Sequence, residues 1–176
     1  MARICVFCGA ARGADPAYAT QAATLGRALV AAGHGLVFGG GAVGLMGVVA
    51  DSVLEAGGEA TGVIPQQLVD RELAHRGLSD LRVVGSMHER KALMASLADA
   101  FVALPGGFGT LDELIEIITW RQLDLHSKPI GLLDAGQFWQ PFMALVEHLR
   151  EAGFLRVDPG EILLDDDAVR LLGRLV

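Results

Sequence analysis

Short apolar runs alternate with longer stretches of helical periodicity from one end of the chain to the other. The runs Ile4–Phe7, Leu36–Phe38, Ala60–Ile64, Leu81–Val84, Ala100–Leu104 and Ile130–Leu133, with a weaker one at Ile162–Leu164, are apolar throughout. Strands covered on both faces read this way, because neither side of the pleat meets water. Between them the pattern predicts helices near 16–32, 45–56, 87–98, 111–123, 137–152 and 166–175. The punctuation agrees: Asp15-Pro16 has the form of an N-cap and a first-turn proline, and Gly33, Gly57 and Gly153 fall where helices should stop. Ser86-x-x-Glu89 and Thr110-x-x-Glu113 both have capping-box form, and Asp165-Asp166-Asp167 reads as acids at the start of the last helix. Repeated strand–helix units predict one α/β domain over residues 1–176. Its sheet should be mostly parallel and doubly wound, Rossmann-like, with helices on both faces.

Composition changes the picture only at a few points. With 52% apolar and 20% charged residues, the 176-residue chain can bury a sizeable core and is not disordered. No apolar run approaches the roughly 18 uncharged residues of a membrane span, and the strand-like run from Arg3 leaves no room for a signal peptide. Two cysteines three apart make no disulfide framework, so a cytoplasmic setting is expected. A net charge of −7 argues against a nucleic-acid backbone as partner. Glycine stands out: 23 of 176 residues, about 13%, against a usual value of about 7%.

Those glycines concentrate in loops that a doubly wound sheet places at the carboxyl ends of its strands, where ligands bind. The first loop is Cys8-Gly9-Ala10-Ala11, and the second runs Gly39-Gly40-Gly41-Ala42-Val43-Gly44-Leu45-Met46-Gly47. The third is Pro105-Gly106-Gly107-Phe108-Gly109-Thr110. Such strand-to-helix turns let backbone N–H groups approach an anion, and the helix start adds partial positive charge. Tight turns and close helix–sheet packing would account for one loop alone; two on one edge favour a phosphorylated ligand. Neither has the Gly-Lys-Ser/Thr of a Walker motif, and the first turn, with only Gly9 and Gly13, fits a dinucleotide fingerprint poorly. A nucleoside monophosphate is the simpler ligand.

Arg90 and Lys91 lie just inside the helix that Ser86 should cap, and Lys91 is one of only two lysines. Position alone balances a solvated surface pair against a pair reaching the strand-end edge. Glu113 has two readings that can hold together. It is the capping-box partner of Thr110, and it is a carboxylate beside an anion-binding loop. Other chemistries find little support. The five histidines show no metal spacing, Cys5-x-x-Cys8 lacks a second pair for zinc, and no Gly-x-Ser-x-Gly elbow is present.

The stretch Pro105-Gly-Gly-Phe-Gly-Thr-Leu-Asp-Glu113 resembles the Pro-Gly-Gly-x-Gly-Thr-x-x-Glu motif of the Lonely guy family, the cytokinin-activating phosphoribohydrolases. Met87-His88-Glu89-Arg90-Lys91 is similar to that family's Met-x-x-Arg-Lys segment, and the likeness runs from about residue 3 to 155. It implies hydrolysis of an N6-substituted adenosine 5′-monophosphate to free base and ribose 5-phosphate. By this resemblance Arg90 and Glu113 match the essential pair. Lys91, Gly106, Gly107, Phe108, Gly109, Thr110, Asp112, Thr119 and Glu72 fall on the substrate side, with Gly9, Gly40 and Gly41 from the earlier loops. Where the family often has serine after Cys-Gly, this chain has Ala10 and Ala11, which removes a hydroxyl donor. Breaking an N-glycosidic bond develops positive charge on the ribose, which suits Glu113 as a stabiliser or water activator. Arg90, never deprotonated, would hold the phosphate or a ribose hydroxyl.

Two rival readings remain: a nucleosidase acting on plain AMP, and a non-catalytic carrier of a nucleotide or of molybdenum cofactor. A carrier would not need Arg90 and Glu113 together. Lysine decarboxylase, a label attached to this family, would need a lysine for pyridoxal phosphate; Lys91 belongs to the expected phosphate site and Lys128 precedes Pro129 at the opposite end of a strand. No metal or organic cofactor is expected. A homodimer is expected, because apolar Ile115, Ile117, Ile118 and Trp120 nearly encircle one helix.

Overall fold

Among the described residues, seven strands pair in one parallel sheet: β1 (Arg3–Phe7), β2 (Gly35–Phe38), β3 (Ala60–Pro65), β4 (Asp80–Val84), β5 (Ala100–Ala103), β6 (Ile130–Leu133) and β7 (Ile162–Asp165). The computed structural model describes residues 1–71, 73–78, 80–155 and 162–176. Strand order is β4-β3-β2-β1-β5-β6-β7, so the sequence of crossovers reverses between β1 and β5. The helices are α1 (Pro16–Ala31), α2 (Gly44–Glu55), α3 (Gln66–Val69), α4 (Met87–Leu97), α5 (Phe108–Gln122), α6 (Gln140–Glu151) and α7 (Ala168–Leu175).

Side chains of β1 alternate between two cores. Ile4, Val6 and Cys8 join the cluster that includes Leu25 and Leu29 of α1, Val49 and Val53 of α2, and Leu171 and Leu172 of α7. Cys5 and Phe7 join the other, with Met94 of α4 and Leu114 and Ile117 of α5, onto which Phe142 of α6 packs. Both faces of the central strands are therefore covered, which is why they read as continuous apolar runs. Each fully buried Leu contributes roughly 1.5–3 kcal/mol relative to an exposed one.

Caps explain several helix boundaries. Asp15 Oδ1 accepts from the Ala17 N–H, and Ser86 Oγ accepts from the Glu89 N–H. Gly33, Gly57 and Gly153 take the left-handed conformation expected after a helix. Three boundaries differ from expectation. The helix expected from 111 begins at Phe108, so Thr110 lies inside its first turn and the Thr110–Glu113 capping box does not form. Thr110 is buried against Gly106 instead. The helix expected from 137 is delayed to Gln140, because Gly136 and Gln137 both adopt positive φ in a tight turn after β6. In the acid triplet, Asp165 ends β7 and Asp167 caps α7 through the Arg170 N–H. The short α3 carries no apolar periodicity that would have announced it. No helix among the described residues is long and apolar enough to cross a membrane.

Candidate functional site

At the reversal of strand order, the carboxyl ends of β1, β2 and β5 open onto a cleft of about 520 Å³. Three glycine-rich loops wall it, and they are fastened to one another. The Gly9 N–H donates to the Pro105 carbonyl at 3.0 Å, and the Gly9 carbonyl accepts from the Leu45 N–H at 2.9 Å. Gly44, at φ +62°, passes so close to the first loop that a Cβ there would lie 2.2 Å from the Ala10 carbonyl carbon. Gly9 is thus the junction of the loops, its own N–H already engaged.

The glycines of the third loop divide into two kinds. A Cβ on Gly106 would fall 2.0 Å from Thr110 Oγ1, so packing alone demands glycine there. A Cβ on Gly107 or Gly109 would meet nothing within 4 Å, and neither has positive φ. The fold does not require glycine at these two positions. They leave open space at the start of α5, on the cleft wall. Among the described residues, helices α1, α4 and α7 have side-chain caps, whereas α2, α3, α5 and α6 have none. Two of those uncapped starts follow the glycine loops: in α2 the Leu45 N–H is taken by the Gly9 carbonyl, while the first N–H groups of α5 remain available to an anion.

Glu113 sits one turn further along α5 and reaches the cleft. It is half-buried, and its carboxylate has no hydrogen bond or ion pair with a described residue. Burial pushes its pKa up to about 7; the Arg90 charge opposes that rise, and Asp112 adds to it. The same burial raises the thiols of Cys5 and Cys8, with Cys8 on the cleft wall. Glu113 is therefore a carboxylate held unpaired with a pKa near neutrality, which is the condition of a general base or cation stabiliser.

Arg90 is 7% exposed and braces the floor. Its Nε donates to the Val63 carbonyl at 3.0 Å and its Nη2 to the Gly39 carbonyl at 2.6 Å, tying α4 to the ends of β3 and β2. A Cβ on Gly39 would overlap Nη2, so this glycine makes room for the guanidinium. Two of the five N–H groups are taken by carbonyls.

The structure does not bring Lys91 to the cleft. Its Nζ lies between Asp112 Oδ2 at 2.9 Å and Glu116 Oε2 at 3.1 Å, joining α4 to α5. Asp112 is exposed and engaged in that pair. Gly40 and Gly41 lie beside the cleft under the segment that follows α3. The Gly40 carbonyl accepts from the His75 N–H, and Gly41 bridges to Ala74. His75 is pinned in turn by Asp51 at 2.8 Å. Thr119 is exposed and donates to the Ile115 carbonyl, and Phe108 is 92% exposed; neither lines the cleft. Glu72 lies outside the described residues.

Residues not anticipated from sequence also reach the cleft: Arg12, Tyr18, Leu45, Met46 and Phe138. Tyr18 and Phe138 meet edge to face at 5.8 Å. Arg12 directly follows the already conspicuous first loop, and Tyr18, in the first turn of α1, packs on Gly13 just beyond it, so nearness to that loop was the available signal. Phe138 comes from the turn after β6, far away in sequence, and carried none.

A family model described as "possible lysine decarboxylase" matches residues 46–172. The chain is 46% identical over 170 residues to the cytokinin riboside 5′-monophosphate phosphoribohydrolase LOG of Oryza sativa subsp. japonica, covering 97% of this chain and 70% of that protein. It is 44% identical over 162 residues to the cytokinin riboside 5′-monophosphate phosphoribohydrolase LOG3 of Arabidopsis thaliana, covering 92% and 75%. Among solved structures, the molybdenum cofactor binding protein from the phototrophic bacterium Rippkaea orientalis matches with a TM-score of 0.75 at 20% identity, over 98% of this chain and 94% of that one. At that identity the likeness concerns the fold. The decarboxylase description finds no support in the two lysines. Lys91 is held by two carboxylates, and Lys128 Nζ donates to the Ala95 carbonyl away from the cleft. Neither is placed to carry pyridoxal phosphate.

Proposed function

The chain belongs to the family of cytokinin riboside 5′-monophosphate phosphoribohydrolases, and from that membership we propose that its cleft hydrolyses N6-substituted adenosine 5′-monophosphates to the free base and ribose 5-phosphate. The observation that carries the assignment to this cleft is Glu113, an unpaired carboxylate of raised pKa beside an uncapped, glycine-lined helix start. The phosphate sits at Gly107–Gly109, where backbone N–H groups meet it without a side chain in the way. The ribose then lies over Glu113. As the C1′–N bond breaks, positive charge builds on the sugar ring, and the carboxylate stabilises it and accepts a proton from the attacking water. Water oxygen bonds to C1′, and the base leaves with the bond's electron pair and takes up a proton. Arg90 holds the loop ends in register and offers its remaining N–H groups to the sugar. Phosphate binding energy, realised far from the reacting bond, serves to orient it.

Chromatography of incubations with isopentenyl-AMP and AMP tests the reading. Free isopentenyladenine with ribose 5-phosphate is expected, and no release from either nucleotide overturns it. Release from AMP at equal kcat/KM would make the protein a general nucleotide nucleosidase. The proposal extends to a homodimer. Its support is the apolar exposure on and after α5, with Phe108 92%, Ile115 51%, Leu123 62% and Leu125 67% exposed.

A further inference from the structure

Three charged side chains reach the cleft among the described residues: Arg12, Arg90 and Glu113. A dianionic phosphate needs a cation that is free to meet it. Arg90 is buried and bound to two carbonyls, and Lys91 is turned away between Asp112 and Glu116. Arg12 is the opposite case. It is exposed on the rim and has no hydrogen bond or ion pair with any described residue.

The backbone that carries it is firmly placed. On one side Ala10 packs on Gly44 and Gly9 bonds to Pro105 and Leu45. On the other, Gly13 takes φ +77° with Tyr18 packed where its Cβ would be. Ala10 and Ala11 supply no hydroxyl, so the guanidinium is the loop's one side chain able to donate to a phosphate oxygen. The loop lies directly across from the third, with a Cβ on Gly9 reaching to 3.2 Å of Gly106 Cα. In a chain of net charge −7, a local cation at the mouth also offsets the long-range repulsion of an anionic substrate.

We propose that Arg12 is the cation that receives the substrate's 5′-phosphate, closing over it from the first loop while the α5 N–H groups hold it from the third. This rests on the nucleotide reading above, and it moves to Arg12 the part that the sequence pattern had assigned to Lys91. The test compares wild type with Arg12→Gln and Arg12→Lys, by calorimetric titration with ribose 5-phosphate and by kinetics on isopentenyl-AMP and on the nucleoside isopentenyladenosine. Both variants should fold, since the side chain is exposed and makes no hydrogen bond or ion pair with a described residue, and unchanged melting temperatures will verify it.

In Arg12→Gln the Kd for ribose 5-phosphate and the KM for isopentenyl-AMP should each rise about 10- to 100-fold, the scale of a lost charge-assisted contact. kcat/KM for the nucleoside should stay within about threefold of wild type. Arg12→Lys should recover part of the phosphate effect. A Kd within twofold of wild type, an equal loss on nucleoside and nucleotide, or a wild-type protein that does not bind ribose 5-phosphate overturns the proposal. Arg12-dependent binding in a protein that releases no base would sustain the phosphate site and remove the hydrolase reading.

Discussion

In the proposed mechanism Glu113 carries the chemistry of the site, and the structure frees it from the capping role that its spacing from Thr110 implied. Glu113→Gln therefore removes charge without removing a cap. It should lower kcat on the order of a hundredfold or more, while KM changes little; near-normal turnover in a folded variant would refute the mechanism. Stability should move the other way. The folded pKa of about 7 lies above the ordinary glutamate value of 4.5, so folding favours the protonated carboxyl. That contribution is complete below about pH 4.5 and is lost as pH rises through about 7. At pH 8 the neutral glutamine should melt at least as high as wild type, and calorimetry across pH 4–8 checks this. The same value sets the acid limb of kcat/KM, which should fall about tenfold per pH unit below about pH 7 and vanish as a feature in Glu113→Gln.

At the scale of elements, the third loop and α5 separate a glycine that packing needs from two that packing does not. Gly106→Ala would drive a methyl into Thr110, a clash of the kind that costs about 1–3 kcal/mol or more. Gly109→Ala meets open space inside a helix and should cost nothing in stability, or gain up to about 1 kcal/mol, while raising KM for the nucleotide. Equal KM with equal stability would show that nothing approaches this turn. Lys91 belongs at this scale too, as the tie between the helices that carry Arg90 and Glu113. Lys91→Met would leave Asp112 and Glu116 unneutralised near Glu113 and remove a charge that lowers its pKa. The acid limb of the pH profile should then move to higher pH with KM nearly unchanged. A large rise in KM without that shift would instead return Lys91 to the phosphate.

For the whole molecule, α5 faces two ways: Leu114 and Ile117 enter the core while Phe108 and Ile115 stand in solvent beside the cleft. A partner on that face would place the site near a subunit boundary. Sedimentation at micromolar concentration should give a dimer, and Ile115→Lys should shift it toward monomer by burying a charge. A wild-type monomer would leave that face unpartnered. Among the described residues no group of three or more His, Cys, Asp or Glu is arranged to hold a metal ion. Activity should accordingly survive exhaustive chelation, and loss restored by one particular metal would contradict the mechanism.

The strands, nearly all the helices and the positions of the glycine loops were legible in the sequence, because they depend on local periodicity and on turn chemistry within a few residues. Arg90 and Glu113 were legible for the same reason, as polar residues embedded in recognisable segments beside those loops. What the sequence could not decide is which charges are free. Lys91 looks like a ligand until Asp112 and Glu116, on another helix, are seen to hold it. Glu113 looks like a cap until α5 is seen to start at Phe108. Arg12 drew no reading from the sequence, and it reaches the cleft because the sheet sets β1 beside β5 and so the first loop beside the third. Pairing is a property of distance in space, and crossovers of thirty to a hundred residues set those distances, so only the tertiary structure distinguishes a side chain already engaged from one still available to a substrate.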